Sequence, residues 1–148
     1  MSAYGIGSDA LRSVFPFHLV VDRTLTVVQL GDAIARVCPG LVVGRPVGDH
    51  VRLIRPDVPL AFDQLLARRR ALFVLEVLPL RLPLRGQFLL ADDGQHLTFL
   101  CSPWITKIEQ LTTFGLALSD FPTHEPVADY LFLLQSQATA LEDAQTLG

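Results

Sequence analysis

The stretch Phe99-Leu-Cys-Ser-Pro-Trp104 decides the fold, because it predicts the last strand of a sheet, which Pro103 then halts. A connector containing Gly115-Leu-Ala-Leu-Ser-Asp-Phe121 comes next, and then the apolar run Asp129-Tyr-Leu-Phe-Leu-Leu-Gln135. This order predicts the last strand of a sheet, a connector, and a helix that leaves its own domain.

The predicted exit helix extends from about Glu125 to Ala144 and carries a narrow apolar stripe. The residues of the stripe step by four and three, which is the interval of a coiled coil. Because other apolar side chains widen this surface only in the first two turns, the later turns favour pairing with a second copy. The residues predicted for this dimer and signalling helix are Val127, Tyr130, Leu131, Leu134, Ala138 and Leu141.

Composition limits the classes of function. The chain has 148 residues, enough for one domain, and 50% of them are apolar, so either the core is rich or a partner covers an apolar surface. A net charge of −3 gives no reason to expect a nucleic-acid partner. The run Arg68-Arg69-Arg70 lies where a helix should end and complements its dipole, with a docking patch as the alternative.

The cysteines and the apolar stretches predict a reduced, cytoplasmic protein. Cys38 and Cys101 form no CxxC pair and have no histidine at ligand spacing. The N-terminus lacks the charged start and apolar run of a signal peptide. The most apolar stretch, residues 71–91, contains charges and two prolines, so no membrane span is expected.

The first half of the chain predicts two strands followed by helices. Phe15 to Val21 alternates apolar side chains, and Thr24 to Leu30 is a second, β-branched strand. Gly31 opens a short helix that Pro39-Gly40 ends, and short helical pieces are expected around residues 49–54. A longer helix is predicted over residues 59–70.

The second half predicts three strands. Residues 72–78 form the third strand, and residues 80–85 are extended, with prolines that suit a sheet edge or an irregular join. Residues 86–91 and 95–102 flank Asp92-Asp93-Gly94, a strong hairpin signal. The predicted fold class is α+β, a five-stranded antiparallel sheet with helices on one face and a coiled-coil-type exit helix.

Several separate segments carry a more specific signal: Phe15-Pro-Phe-His-Leu-Val-Val-Asp22, Leu84-Arg-Gly-Gln-Phe88, Phe99-Leu-Cys-Ser-Pro-Trp104, Gly115-Leu-Ala-Leu-Ser-Asp120, His124 and Asp129-Tyr-Leu. These segments resemble the haem-NO-binding-associated (HNOBA) domain, a PAS-like domain of soluble guanylyl cyclases and bacterial signalling proteins. The resemblance spans roughly residues 14–142. One departure is Glu125, where the family commonly has Asp after the histidine.

The resemblance implies a PAS-like fold, dimerisation, and a coiled coil that leads to an output domain. The haem ligand of such systems belongs to a separate haem domain, so no histidine here inherits it and no cofactor is expected. The predicted domains are a flexible lead-in over residues 1–13, a PAS-like body over 14–122 and a signalling helix over 123–148.

We therefore expect a dimerising regulatory domain that relays a signal to a C-terminal output domain, such as a cyclase, a diguanylate cyclase or a histidine kinase. The expected partners are a second copy or a paralogue, and a protein with a haem-NO-binding domain. The alternative is a sensor with a small ligand in its core. An enzyme is disfavoured, because the chain contains no GxSxG, phosphate-loop or dinucleotide motif.

Individual residues give weaker signals. The four histidines are not spaced as a metal set, and His18 is expected to have a hydrogen-bonded structural role. Asp120, His124 and Asp129 are the connector residues expected to pin the exit helix. A ligand cavity would be lined by aromatic rings, although a filled core is favoured over a cavity. The candidate lining residues are Phe17, Phe62, Phe88 and Phe99.

Overall fold

The computed structural model describes residues 8–105, 107, 109–117 and 120. Residues 1–104 and residues 105–148 are two compact units. The first unit contains α1 (Ser8–Val14), β1 (His18–Asp22), β2 (Val27–Leu30), α2 (Asp32–Val37), β3 (Val51–Arg55), α3 (Phe62–Ala67), β4 (Phe73–Val77), β5 (Leu82–Leu90) and β6 (His96–Pro103). The second contains α4 (Glu109–Thr113).

The strands form one antiparallel sheet in the order β2-β1-β6-β5-β4-β3. The predicted α+β class is confirmed, but the described sheet has six strands where five were expected. The extra strand is β3, which covers most of the segment expected to form short helical pieces. Val51 and Leu53 pair with Val77 and Leu75, so the segment completes the edge of β4. The β-branched Val51 and Ile54 suit a strand, which the expectation of helix overlooked.

The core lies against the sheet face that carries the alternate apolar side chains. Along β6, for example, Leu97, Phe99 and Cys101 are buried while the residues between them are half-buried. The helices add buried side chains, chiefly Ile34 from α2 and Leu65 from α3. This alternation reflects the two-residue period of a strand, which the sequence displays directly.

Helix α3 is shorter than predicted, since it spans Phe62–Ala67 rather than residues 59–70. Ala61, its N-cap residue, is extended and makes no side-chain cap hydrogen bond. At the other end Arg69 Nη1 donates to the Leu66 carbonyl oxygen at 3.0 Å. The Arg69 amide donates to the same oxygen at 3.3 Å, so the arginine run supports the end of the helix through both backbone and side chain.

Strand β5 passes through Pro83 without a break, although the prolines suggested an edge or an irregular join. The edge alternative is wrong, because β5 lies between β4 and β6. The irregular join is borne out just before β5, where Pro79 lies in the turn over residues 78–81 that links β4 to β5. Pro83 lies opposite Glu76 of β4, and its carbonyl oxygen accepts a hydrogen bond from the Trp104 amide at 2.8 Å. A proline near the start of a strand removes one donor and still offers its carbonyl to a neighbour.

The hairpin between β5 and β6 is confirmed. Gly94 has a φ of +69°, which glycine adopts without steric cost. The Gln95 amide donates to Asp93 Oδ1 at 2.8 Å, and His96 Nδ1 lies 2.7 Å from Asp93 Oδ2. Asp93 therefore shapes the turn, as its position in the sequence suggested.

Two helices lie in segments for which little structure was predicted. Helix α1 occupies the end of the expected lead-in, and α4 lies in the connector. Helix α4 ends in a Schellman motif, because the Gly115 amide donates to the Thr112 carbonyl at 3.1 Å and the Leu116 amide to the Leu111 carbonyl at 2.7 Å. The predicted exit helix lies outside the described residues.

The close approach of β5 and β6 at Gly86 gives a first prediction. A Cβ atom at position 86 would lie well inside 3.0 Å of the Leu100 carbonyl oxygen and of Cys101 backbone and side-chain atoms. We expect Gly86→Ala to lower the free energy of unfolding by about 2 kcal/mol or more, because two paired backbones must separate. Urea denaturation measures this change.

Gly48→Ala is the matched control, because a Cβ atom there would meet nothing within 4 Å. Equal stability of the two variants would contradict the close approach of the two strands.

Candidate functional site

The segment that leads into β1 accepts hydrogen bonds from amides at the start of α2. The carbonyl oxygen of Pro16 accepts hydrogen bonds from the amides of Ala33, at 3.1 Å, and Ile34, at 3.2 Å. The carbonyl oxygen of His18 accepts one from the Gly31 amide at 2.8 Å. Because the first amides of a helix lack helical partners, this segment serves as the N-terminal cap of α2.

The other two carbonyls of the segment are also satisfied. The Phe15 carbonyl oxygen lies 2.7 Å from His18 Nδ1, and the Phe17 carbonyl oxygen accepts a hydrogen bond from the Cys101 thiol. On the other side of the imidazole, Nε2 lies 2.8 Å from Nε2 of the Gln29 side-chain amide. Residues 15–18, which we call the entry segment, therefore join α1 to α2, β2 and β6.

These contacts define the state of His18, whose side chain is fully buried. A carbonyl can only accept, so Nδ1 carries the proton, and Nε2 accepts from the Gln29 amide. Burial lowers the pKa of His18 below its ordinary value of 6.5, with a smaller lowering effect from Arg12. The predicted hydrogen-bonded structural role of His18 is confirmed.

A small apolar cavity lies between the sheet and α3. The cavity has room for roughly one water molecule. Of the four predicted lining residues, Phe88 contributes to its wall, while Phe17, Phe62 and Phe99 are buried in the core. The residues that line the cavity are Leu19, Val21, Leu25, Val47, Val51, Leu60, Leu65, Leu75 and Phe88.

Aromatic rings fill the space beside this cavity. The ring of Phe88 stacks on that of Phe99 at a centroid distance of 4.7 Å and meets that of Phe73 edge-on at 4.8 Å. Such pairs add to the burial of apolar area and fix the positions of the rings. The core on this side is therefore well packed, and the cavity is the space that remains between it and α3.

The connector residues are only partly described. Asp120 Oδ2 accepts a hydrogen bond from the Ala117 amide at 2.7 Å, and the Asp120 amide donates to the Ala117 carbonyl at 2.9 Å. These bonds join Ala117 to Asp120 within the connector. His124, Asp129 and all six residues of the predicted signalling helix lie outside the described residues.

A residue that the sequence did not single out, Arg23, joins three parts of the first unit. It lies in the turn between β1 and β2 and donates to Gln95 Oε1 at 3.0 Å and to the Gly94 carbonyl at 2.9 Å. Its guanidinium carbon lies 4.8 Å from the centroid of the Phe62 ring. The sequence signal was an arginine in a tight turn, which on its own does not reveal these distant contacts.

The described residues contain no group of three histidine, cysteine or acidic side chains that could hold a metal ion. Cys38 and Cys101 are buried, and no disulfide joins them. Burial raises the pKa of the Cys38 thiol, which donates to the Leu78 carbonyl oxygen at 3.2 Å. In the part of the chain that the structure describes, no helix is long and apolar enough to cross a membrane.

The sequence matches the model of the family described as "Heme NO binding associated" (HNOBA) over residues 4–83 and 79–147. The chain belongs to the HNOBA family. This confirms the predicted resemblance, and it extends over nearly the whole chain. The two matched segments meet at residues 79–83, in the turn between β4 and β5 and at the start of β5.

Several proteins resemble this HNOBA chain along most of its length. Guanylate cyclase soluble subunit alpha-2 of Rattus norvegicus is 31% identical over 91% of the chain, and subunit beta-2 of the same organism is 28% identical over 93%. Soluble guanylate cyclase gcy-32 of Caenorhabditis elegans is 27% identical over 93% of the chain. The chain spans 20%, 22% and 25% of the lengths of these three proteins.

The state of His18 gives a second prediction. The folded pKa lies below the unfolded value of 6.5, so below that pH the unfolded chain binds more protons than the folded one. Stability from neutral His18 is present above pH 6.5 and is lost as the pH falls through the lower folded value. We expect the melting temperature to drop between pH 7 and pH 5, and to drop less for His18→Gln.

His96→Gln is the control, because His96 is partly exposed and lies in the hairpin. Thermal melts of the three proteins at pH 7, 6 and 5 make the comparison. A His18→Gln profile parallel to that of the unmodified protein would contradict a neutral buried imidazole.

Proposed function

We propose that this chain is a regulatory, PAS-like domain that pairs with a second copy or a paralogue and relays a signal to an output domain. The observation that carries this proposal is the HNOBA match over nearly the whole chain, combined with relatives named as guanylate cyclases. Since the chain spans at most 25% of the three relatives compared, their named activity points to sequence beyond the matched part.

The output is accordingly a separate catalytic domain. A nucleotide cyclase is favoured over a diguanylate cyclase or a histidine kinase, because the relatives compared above are named as guanylate cyclases. The domain itself is regulatory, and a cytoplasmic location suits both this output and the two buried thiols. A protein with a haem-NO-binding domain is a fitting upstream partner, given the description of the family.

The pairing element is the helix over residues 123–148, which succeeds a PAS-like body over residues 14–122. Its stripe of apolar residues at intervals of four and three supports a coiled coil. The names of two relatives, subunits alpha-2 and beta-2, support pairing with a paralogue as well as with an identical chain. Asp120, His124 and Asp129 would then set the starting angle of the paired helices.

A ligand-sensing role is the second candidate. The apolar cavity between the sheet and α3 favours it, but the cavity in this conformation holds roughly one water molecule. A ligand of ordinary size would have to displace core side chains or α3. The relay role therefore accounts for more of the observations.

The third prediction tests pairing. Leu134 lies in the apolar stripe, so Leu134→Glu would bury a charge without a partner and separate the two chains. We expect the unmodified chain to sediment as a dimer at micromolar concentration and the variant to sediment as a monomer. Ser136→Glu, which adds the same charge outside the stripe, should leave the dimer intact. A monomeric unmodified chain would refute the pairing role.

The fourth prediction tests the connector in the full-length protein. Asp120→Ala removes the acceptor of the Ala117 amide, which we expect to cost about 1 kcal/mol of folding free energy. The activity of the output domain should nevertheless change, because the connector that directs the chain is loosened. Asp57→Ala, which removes an exposed loop carboxylate, is the control. If output activity stays constant while the melting temperature is preserved, the connector does not carry the signal.

A further inference from the structure

Arg23 makes two hydrogen bonds that fix its guanidinium against the β5–β6 hairpin. Nε donates to Gln95 Oε1 at 3.0 Å, and Nη2 donates to the Gly94 carbonyl at 2.9 Å. Both acceptors lie more than 70 residues away from Arg23 along the chain. The N–H donors of a guanidinium lie in its plane, so these two hydrogen bonds fix the orientation of the plane. Its faces and Nη1 therefore point in fixed directions.

The guanidinium of Arg23 contacts the first turn of α3. The guanidinium carbon lies 4.8 Å from the Phe62 ring centroid, and Nη1 lies 3.9 Å from Asp63 Oδ1. The Phe62 side chain is buried, whereas the side chains of Arg23 and Asp63 are 49% and 88% exposed. The contact combines a cation over an aromatic face with a weak ion pair, and it lies at the surface where water can replace it.

Helix α3 has few other contacts of this kind at its start. Its N-cap residue, Ala61, supplies no side-chain hydrogen bond, and the helix spans only the six residues Phe62–Ala67. A helix this short is not stable by itself and depends on tertiary contacts. The tertiary contacts at its first turn include the burial of Phe62 and the approach of Arg23.

The segments on both sides of this contact form part of the cavity wall. Leu25, two residues after Arg23, lines the cavity, as do Leu60 and Leu65 on either side of Phe62. The side of the cavity opposite α3 consists of sheet residues such as Leu75 and Phe88. Movement of α3 away from the sheet would therefore enlarge an all-apolar space.

We propose that Arg23 is a latch that holds α3 closed over the apolar cavity, and that its release lets α3 open independently of the rest of the sheet. The latch joins the β5–β6 hairpin to α3, so a change at either one biases the other. An element with two discrete arrangements is what a signal can shift. This inference does not depend on pairing of the exit helices.

Amide hydrogen exchange of the full chain tests the latch. In α3 the Leu65 amide donates to the Ala61 carbonyl at 3.0 Å, so its exchange reports opening of the helix. We expect Arg23→Gln to raise exchange in residues 62–68 by about fivefold to tenfold, with β1 and β4 unchanged. Arg23→Lys, which keeps the charge but loses the planar fork, should give a smaller increase.

Two comparisons separate a latch from general destabilisation. Arg45→Gln removes an exposed arginine from the loop between α2 and β3 and should leave the hydrogen exchange of α3 unchanged. In a variant that already carries Phe62→Leu and Asp63→Asn, Arg23 has lost its partners on α3. Adding Arg23→Gln to that variant should therefore cause no further rise in the hydrogen exchange of α3. Faster exchange of all strands together with α3, or no change in α3, would overturn the proposal.

Discussion

The fold depends on the carbonyl of Pro16, which accepts hydrogen bonds from two amides in the first turn of α2 as the chain enters β1. A buried carbonyl or amide without a partner costs about 1–3 kcal/mol, and the four carbonyls of the entry segment are all satisfied. The close contact also requires a glycine at position 31, since a Cβ atom there would overlap the Pro16 carbonyl. Helix, strand and turn are thus positioned together by one short segment.

Strand β6, in the middle of the sheet, connects the entry segment to the end of the first unit. Strand β6 pairs with β1 on one side and β5 on the other, and the chain continues from it to Trp104. The Trp104 amide is bonded to Pro83, and the guanidinium of Arg85 lies 5.4 Å from the Trp104 ring centroid. The last residue of the unit is therefore held by backbone and side-chain contacts to β5. In a proposed relay domain, such contacts give the chain a fixed point of departure from the sheet.

Patterns with a physical cause within a few residues could be predicted from the sequence. The alternation of Leu97, Phe99 and Cys101 and the turn at Gly94 fall in this class, because strand period and glycine φ are local properties. Strand β3 was missed although Val51 and Ile54 are β-branched, because its pairing with β4 is a long-range contact. The contacts of Arg23 with Gly94 and Phe62 depend on topology in the same way. In the candidate site, Phe88 was placed at the cavity, whereas Phe17 and Phe99 became part of the packed core.

The glycine that ends α4 also sets a rotational phase. Gly115 has a φ of +69°, a conformation that other residues adopt reluctantly, and it stops the helix after Thr113. Each residue added to an α-helix turns the chain by about 100° around the helix axis and advances it by about 1.5 Å. A side chain at position 115 that let α4 run on by two residues would rotate the downstream chain by more than half a turn. Gly115 thus sets the point on the helix circumference at which the chain leaves α4 toward Leu116 and Ala117.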